Sequence, residues 1–141
     1  MREPIRKVLV QAFKAGWATS PPFPVVFDNH NLNEAGEAWG RFSITYGENT
    51  PAAIGADHTR TLGIINLQVF IPEGQGTKPA NLAADRLQSV FRFQRFTATE
   101  GSAKAYIEFE HGADGPTPKG TKEGFAQFNI SARFRADELP A

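Results

Sequence analysis

The sequence predicts an α+β fold: a mostly antiparallel, or mixed, β-sheet with two amphipathic helices packed on one face and long loops between elements. Three observations predict it. Apolar residues recur with a helical period in two stretches, they alternate with polar residues in three others, and 13 glycines with 10 prolines supply many turn points. The order helix, short strand, two strands, helix, two strands lacks the strict strand–helix alternation of a doubly wound sheet.

The first helix spans residues 4 to 15. Ile5, Val8, Leu9, Ala12 and Phe13 fall at i, i+3, i+4, i+7 and i+8, while Arg6, Lys7, Gln11 and Lys14 take the other face. Pro4 suits the first turn, where a missing N–H costs nothing, and Gly16 suits the stop. A short strand follows at Val25 to Phe27, between SPPFP and DNHN. Phe42, Ile44 and Tyr46 then alternate with Arg41, Ser43 and Thr45, the pattern of a half-buried strand. The run from His58 to Ile71 is apolar on both phases, which predicts the central strand, and Gly63 marks a candidate bulge in it.

The second helix covers residues 79 to 93. Ala80, Ala83, Ala84, Leu87, Val90 and Phe91 make its buried stripe, and Thr77 with Pro79 marks its start. Two further strands alternate at Ala105, Ile107 and Phe109 and at Phe128, Ile130, Ala132 and Phe134, and are read as antiparallel partners. Three segments read as long loops: residues 28 to 38, 48 to 57 and 111 to 123. The last, HGADGPTPKGTKE, is far longer than the roughly 2 to 5 residues of an ordinary hairpin connection. Loops of this length in a compact domain suggest a surface built for contacts.

Composition narrows the function. The chain has 141 residues, 15 Lys plus Arg against 15 Asp plus Glu, 40% apolar residues, 12 Phe and no Cys. It is read as one domain over residues 1–141, large enough to bury a core. A balanced charge argues against a protein held on nucleic acid mainly by phosphate contacts. Lack of cysteine excludes disulfides, thiolate metal sites and cysteine nucleophiles. Neither a secretory h-region nor the roughly 18 apolar residues of a membrane span is found, so the expectation is a soluble chain used without export and without membrane contact.

Candidate chemistry is sparse. His30, His58 and His111 stand alone, without metal-ligand spacing. Glu108 and Glu110 share a strand face about 7 Å apart, a separation open to acid and base work, although a solvated outer face explains it as well. Serines lack a nucleophile motif. PEGQGTKP, residues 72 to 79, contains Gly74, Gly76 and Lys78, but Pro79 removes a helix N-terminal donor, so it reads as a strand-to-helix turn rather than a phosphate loop. FRFQRF, residues 91 to 96, reads as core packing at a helix end rather than as a base-stacking platform. Nothing here implies a cofactor. Local charge alternates in sign: residues 1 to 16 carry +3, residues 28 to 57 carry −4 and residues 58 to 99 carry +3, a pattern suited to complementary patches between like subunits.

One combination speaks louder than these. It runs from the amphipathic N-terminal helix and Trp17 through Phe27-Asp28-Asn29, Trp39-x-Arg41, Ile54-Gly55, Arg60, Gly63 and Ile65. It continues with Val69-Phe70-x-Pro72-x-Gly74-x-Gly76 and Leu82-Ala83-x-Asp85. Over roughly residues 3 to 96 this resembles the tail terminator, or tail completion, family of long-tailed bacteriophages. The resemblance implies a structural virion protein, not an enzyme, and a hexameric ring on the head-proximal end of the tail tube. Such a ring ends tube polymerisation and presents a surface to the neck, or head-completion, protein. Implied partners are further copies of the chain and the tail tube protein, with genomic DNA passing through the ring without sequence recognition. The implied location is the head–tail junction of the virion, after assembly in the host cytoplasm.

On this reading Trp39, Arg41, Arg60, Lys78, Asp114 and Lys119 are candidates for subunit or tube contacts. The segment 111 to 123 is expected to reach a neighbouring ring or subunit. A neutral or acidic lumen is also expected, with Glu108 and Glu110 as candidates for it. Two alternatives stay open: another neck or tail component sharing the fold, and a small-ligand binding domain using the sheet and loops as a pocket.

Overall fold

The computed structural model describes residues 1–27, 37–51 and 59–139, with residues 48–51 described by their backbone alone. Helix α1 runs Arg2–Trp17, longer at both ends than the apolar stripe predicts. Ile5, Leu9, Phe13 and Trp17, spaced by four, are buried together with Val10. Helix α2 runs Lys78–Phe91, with Pro79 in its first turn as expected, and buries Ala80, Ala83, Ala84, Leu87 and Phe91. It stops two residues short of the expected 93, because Arg92 takes ψ 125° and Phe93 takes φ 57°, both outside helical space.

Among the described residues seven strands form one sheet. They are β1 (Val25–Phe27), β2 (Trp39–Pro51), β3 (Thr59–Pro72), β4 (Arg95–Glu100), β5 (Ala103–Glu108), β6 (Asp114–Lys122) and β7 (Phe125–Leu139). The order is β1-β2-β3-β7-β5-β4, with β6 also on β7. Among the described residues only the β1–β2 pair is parallel. β7 is the organiser: β3 pairs its length on one side, while on the other β6 pairs residues 125–131 and β5 pairs residues 135–139. The expected partnership of the last two alternating strands is therefore β5 with β7, and β3 is central as expected.

Both helices lie on one face of this sheet. Their buried residues join Phe42, Ile65, Leu67, Val69, Ile71, Ala98, Ala105, Ile107, Ile130, Ala132, Phe134 and Ala136 in one core. Many of the phenylalanines pack here in two ring clusters. Phe13 sits 5.0 Å from Trp17 and 4.6 Å from Phe42 between ring centroids. Phe109 bridges Phe91 at 4.9 Å and Phe134 at 5.5 Å. Arg86 ties the helices together by donating from Nη1 to the Thr19 carbonyl at 2.5 Å and from Nη2 to the Ser20 carbonyl at 3.1 Å, beyond the end of α1.

Several expectations are corrected. Residues 111 to 123 are not a long loop: most of them form β6, joined to β7 by the tight turn Glu123-Gly124, where both residues have positive φ. The glycines and prolines that made the segment read as loop are tolerated because β6 is an edge strand whose register breaks twice. Residues 95–100, also unassigned by periodicity, form β4. Of the FRFQRF aromatics, Phe91 and Phe96 pack as expected, but Phe93 is 66% exposed beneath the Arg92 guanidinium. Gly63 is not a bulge. Its pairing with β7 is continuous, while toward β2 the register shifts immediately beyond it, the extra residue lying on β2 between Tyr46 and Asn49. Its role is spatial: a Cβ there would collide with the Phe134 ring. Of the other two expected loops, residues 48–51 continue β2, whereas residues 28–36 and 52–58 lie outside the described residues, with His30 and His58 among them.

Candidate functional site: the uncovered sheet face

Among the described residues, no helix covers the side chains on the strand phase that points away from α1 and α2. Cross-strand register sets them in rows: Trp39 beside Phe70, Arg41 beside Gln68 and Asn129, Ser43 beside Asn66 and Ser131, Leu62 beside Arg135. The apolar reading of β3 on both phases thus has two meanings. One phase is core, while on the other Leu62 is 55% and Ile64 36% exposed.

At one end of this face Trp39 stacks on Phe70, ring centroids 4.2 Å apart and planes 16° from parallel. The Arg41 guanidinium lies 5.4 Å from the Trp39 ring and 5.7 Å from Phe70, and its Nη1 donates to Gln68 Oε1 at 3.4 Å. Stacking by the guanidinium and the indole is what leaves Phe70 only 9% exposed on a face without a helix.

The middle is a trough of about 490 Å³ crossing four strands. Ser43 and Thr45 line it from β2, Asn66 and Gln68 from β3, Gln127, Phe128 and Asn129 from β7, and Lys119 from β6. Asn66 Nδ2 donates to Thr45 Oγ1 at 3.2 Å. Hydroxyls and carboxamides both donate and accept, so this lining suits adaptable hydrogen bonding to a partner surface. Among the described residues that line it there is neither a carboxylate nor a histidine.

The far end is ionic. Arg60 holds Asp137 by a two-pronged contact, Nε to Oδ1 at 2.7 Å and Nη2 to Oδ2 at 3.1 Å. That hydrogen bond, and then the carboxylate charge, raise the Arg60 pKa above its ordinary value. Glu108 and Glu110 flank one cation: Arg135 reaches Glu108 Oε2 at 3.1 Å and Glu110 Oε1 at 2.7 Å. Arg95 approaches Glu108 from β4 at 3.6 Å. Two glutamates that share a face, as the alternation predicts, are therefore engaged by arginine.

Of the six candidates, Trp39 and Arg41 meet at the aromatic end, and Lys119 lines the trough from β6. Arg60 lies on the same strand as Phe70 but ten residues away, roughly 33 Å by strand rise. Asp114 opens β6 opposite Ser131, and Lys78 stands exposed at the start of α2. Sequence reasoning missed Phe70, Asn66, Gln68, Gln127 and Asn129 as parts of one surface. A signal was present: carboxamides recur on the polar phase of two long strands, a choice unusual for core-covered positions.

Among the described residues, no group of three or more His, Asp or Glu could hold a metal ion, and no helix is long and apolar enough to cross a membrane. The fold has precedent. Eight chains of solved structures match it. One of them, a protein carrying a sequence designation in place of a name, superposes with a TM-score of 0.72 over 100% of this chain and 99% of its own. At 18% identity that likeness concerns the fold alone. No curated protein matches the sequence significantly. A family model described as phage tail terminator protein matches residues 4–122, and the chain belongs to that family of structural phage tail proteins.

Proposed function

We propose that the protein is a tail terminator that assembles as a hexameric ring on the head-proximal end of the tail tube, stops tube polymerisation and presents a joining surface to the neck protein. Membership of the family over residues 4–122 carries this reading. The uncovered face supports it physically. A broad sheet surface with an aromatic anchor, a hydrogen-bonding trough of hydroxyls and carboxamides with one lysine, and a balanced ionic end is built for protein contact rather than for turnover. The reading gives the chain no catalytic step and no cofactor, and makes it a component of the virion at the head–tail junction, assembled in the host cytoplasm.

Within the proposal, Trp39, Arg41 and Lys119 contact tube protein or a neighbouring subunit, with Phe70 beneath them as support. Lys78 and Asp114 serve separate ring contacts, and Arg60 shapes the ionic end through Asp137. Genomic DNA passes through the ring without sequence recognition. Pairing of Glu108 and Glu110 with Arg135 keeps their surroundings close to neutral, consistent with a lumen that does not hold phosphates. Co-sedimentation with assembled tail tubes tests the placement. Wild type is expected to pellet with tubes at a fixed small number of copies per tube, and Trp39→Ala with Arg41→Ala to remain in the supernatant. Binding along the whole tube length, or no binding, contradicts it.

A further inference from the structure

Phe91 to Gln94 make the turn that leads α2 into β4. Arg92 has φ −56° and ψ 125° and Phe93 has φ 57°, while Gln94 N donates to Phe91 O at 3.0 Å. These values describe a type II turn, in which Phe93 holds the third position, where glycine is favoured because a side chain at positive φ crowds its own backbone. Ser20 and Glu123, the other non-glycine residues with positive φ among the described residues, are polar. Phe93 is aromatic and 66% exposed, and it takes no part in the core. The fold alone would be better served by glycine here, which takes the turn without strain and exposes no ring.

Arg92 and Arg95 stand exposed on either side of Phe93 in the chain, with the Arg92 guanidinium 4.7 Å from the ring centroid. An aromatic side chain between two cations fits an apolar socket rimmed by carboxylates. Two pockets of this chain are not of that kind. The trough carries Lys119 and, among the described residues, no carboxylate, while a cavity of about 200 Å³ over Leu62 sets Arg60, Arg133 and Arg135 against Glu108 and Glu110. On a second copy either one would set cation against cation. Arg95 pairs with Glu108 at 3.6 Å and so lies on the same sheet face as Trp39 and Arg41, the face that the proposed function places against tube protein or a neighbouring subunit. Charge turns that choice to tube protein.

We propose that Phe93, with Arg92 and Arg95 beside it, is an anchor by which the protein takes hold of the tail tube, its ring entering an apolar socket rimmed by carboxylates on the tube protein. This rests on the terminator reading. The strained turn and the exposed ring are kept together because the ring is used in binding, the pattern of an interface hot spot.

Tube arrest and thermal unfolding, measured on the same variants, test it. Phe93→Gly is expected to unfold at or above the wild-type temperature, because the turn loses its strain, yet to need at least about tenfold more protein to halve the mean tube length. Arg92→Glu raises that requirement too, whereas Lys7→Glu, an equal charge change on the exposed side of α1, leaves it unchanged. Arrest by Phe93→Gly at the wild-type concentration overturns the proposal alone, whatever the variant does to neck joining. So does a Phe93→Gly that loses arrest only as its unfolding temperature falls, or an Arg92→Glu that behaves like Lys7→Glu. Wild type that leaves tube length unchanged overturns the terminator reading and the proposal with it.

Discussion

Trp39 and Phe70 lie ring on ring, 4.2 Å between centroids, on the sheet face that has no helix, and Arg41 closes over both. A buried aromatic on the helix-free side must be shielded by its own strand neighbours. Trp39→Ala uncovers Phe70, and is expected to lower stability by about 1 to 2 kcal/mol through lost stacking and burial. Capping of tail tubes should fall far more than that loss explains. Urea unfolding and a tube-binding assay, run on the same preparation, check both parts.

Gly63 and Phe134 share one volume on the opposite face. Gly63→Ala places a methyl against the Phe134 ring, and overpacking of this kind costs roughly 1 to 3 kcal/mol. Phe134→Leu alone loses core volume, but with Gly63→Ala the two costs should sum to more than the double variant shows. A double-mutant cycle by chemical denaturation reads the coupling.

Arg86 bonds carbonyls just past α1 while its guanidinium lies 5.7 Å from the Trp17 ring. Arg86→Met keeps much of the stem but leaves those acceptors without a charged donor, and is expected to cost about 1 to 3 kcal/mol. Hydrogen exchange should quicken at residues 17–20 first.

Glu3 titrates below the ordinary glutamate range, chiefly because its carboxylate accepts from Arg6 on the same helical face. A lowered folded-state value means that the contact stabilises above the ordinary pKa and is lost as pH falls through the lowered one. At an exposed site the effect on stability is small, so the observable is the titration itself. Carboxyl NMR should show Glu3 shifted down in wild type and returned to the ordinary range in Arg6→Gln.

Much of this was legible because local periodicity carried it. Ile5, Leu9 and Phe13 announce α1, and in β3 the buried Ile65, Leu67 and Val69 alternate with Ile64, Asn66 and Gln68. What escaped were elements whose residues pack little. β6 is exposed along nearly all its length and full of glycine and proline, so it leaves no apolar rhythm to read. β4 follows a helix whose last Phe and its own Phe96 blur into one aromatic segment. The uncovered face was readable only as separate polar phases. Its assembly from Trp39, Phe70, Gln68 and Asn129 depends on strand register, which arises from pairings 27 and more residues apart.

The terminator reading turns on what the protein does to a growing tube. Negative-stain microscopy of tail tube protein polymerising with and without the chain decides it. The account predicts tubes arrested in length, each bearing a six-fold ring at one end. Tubes of unchanged length with bare ends would contradict it.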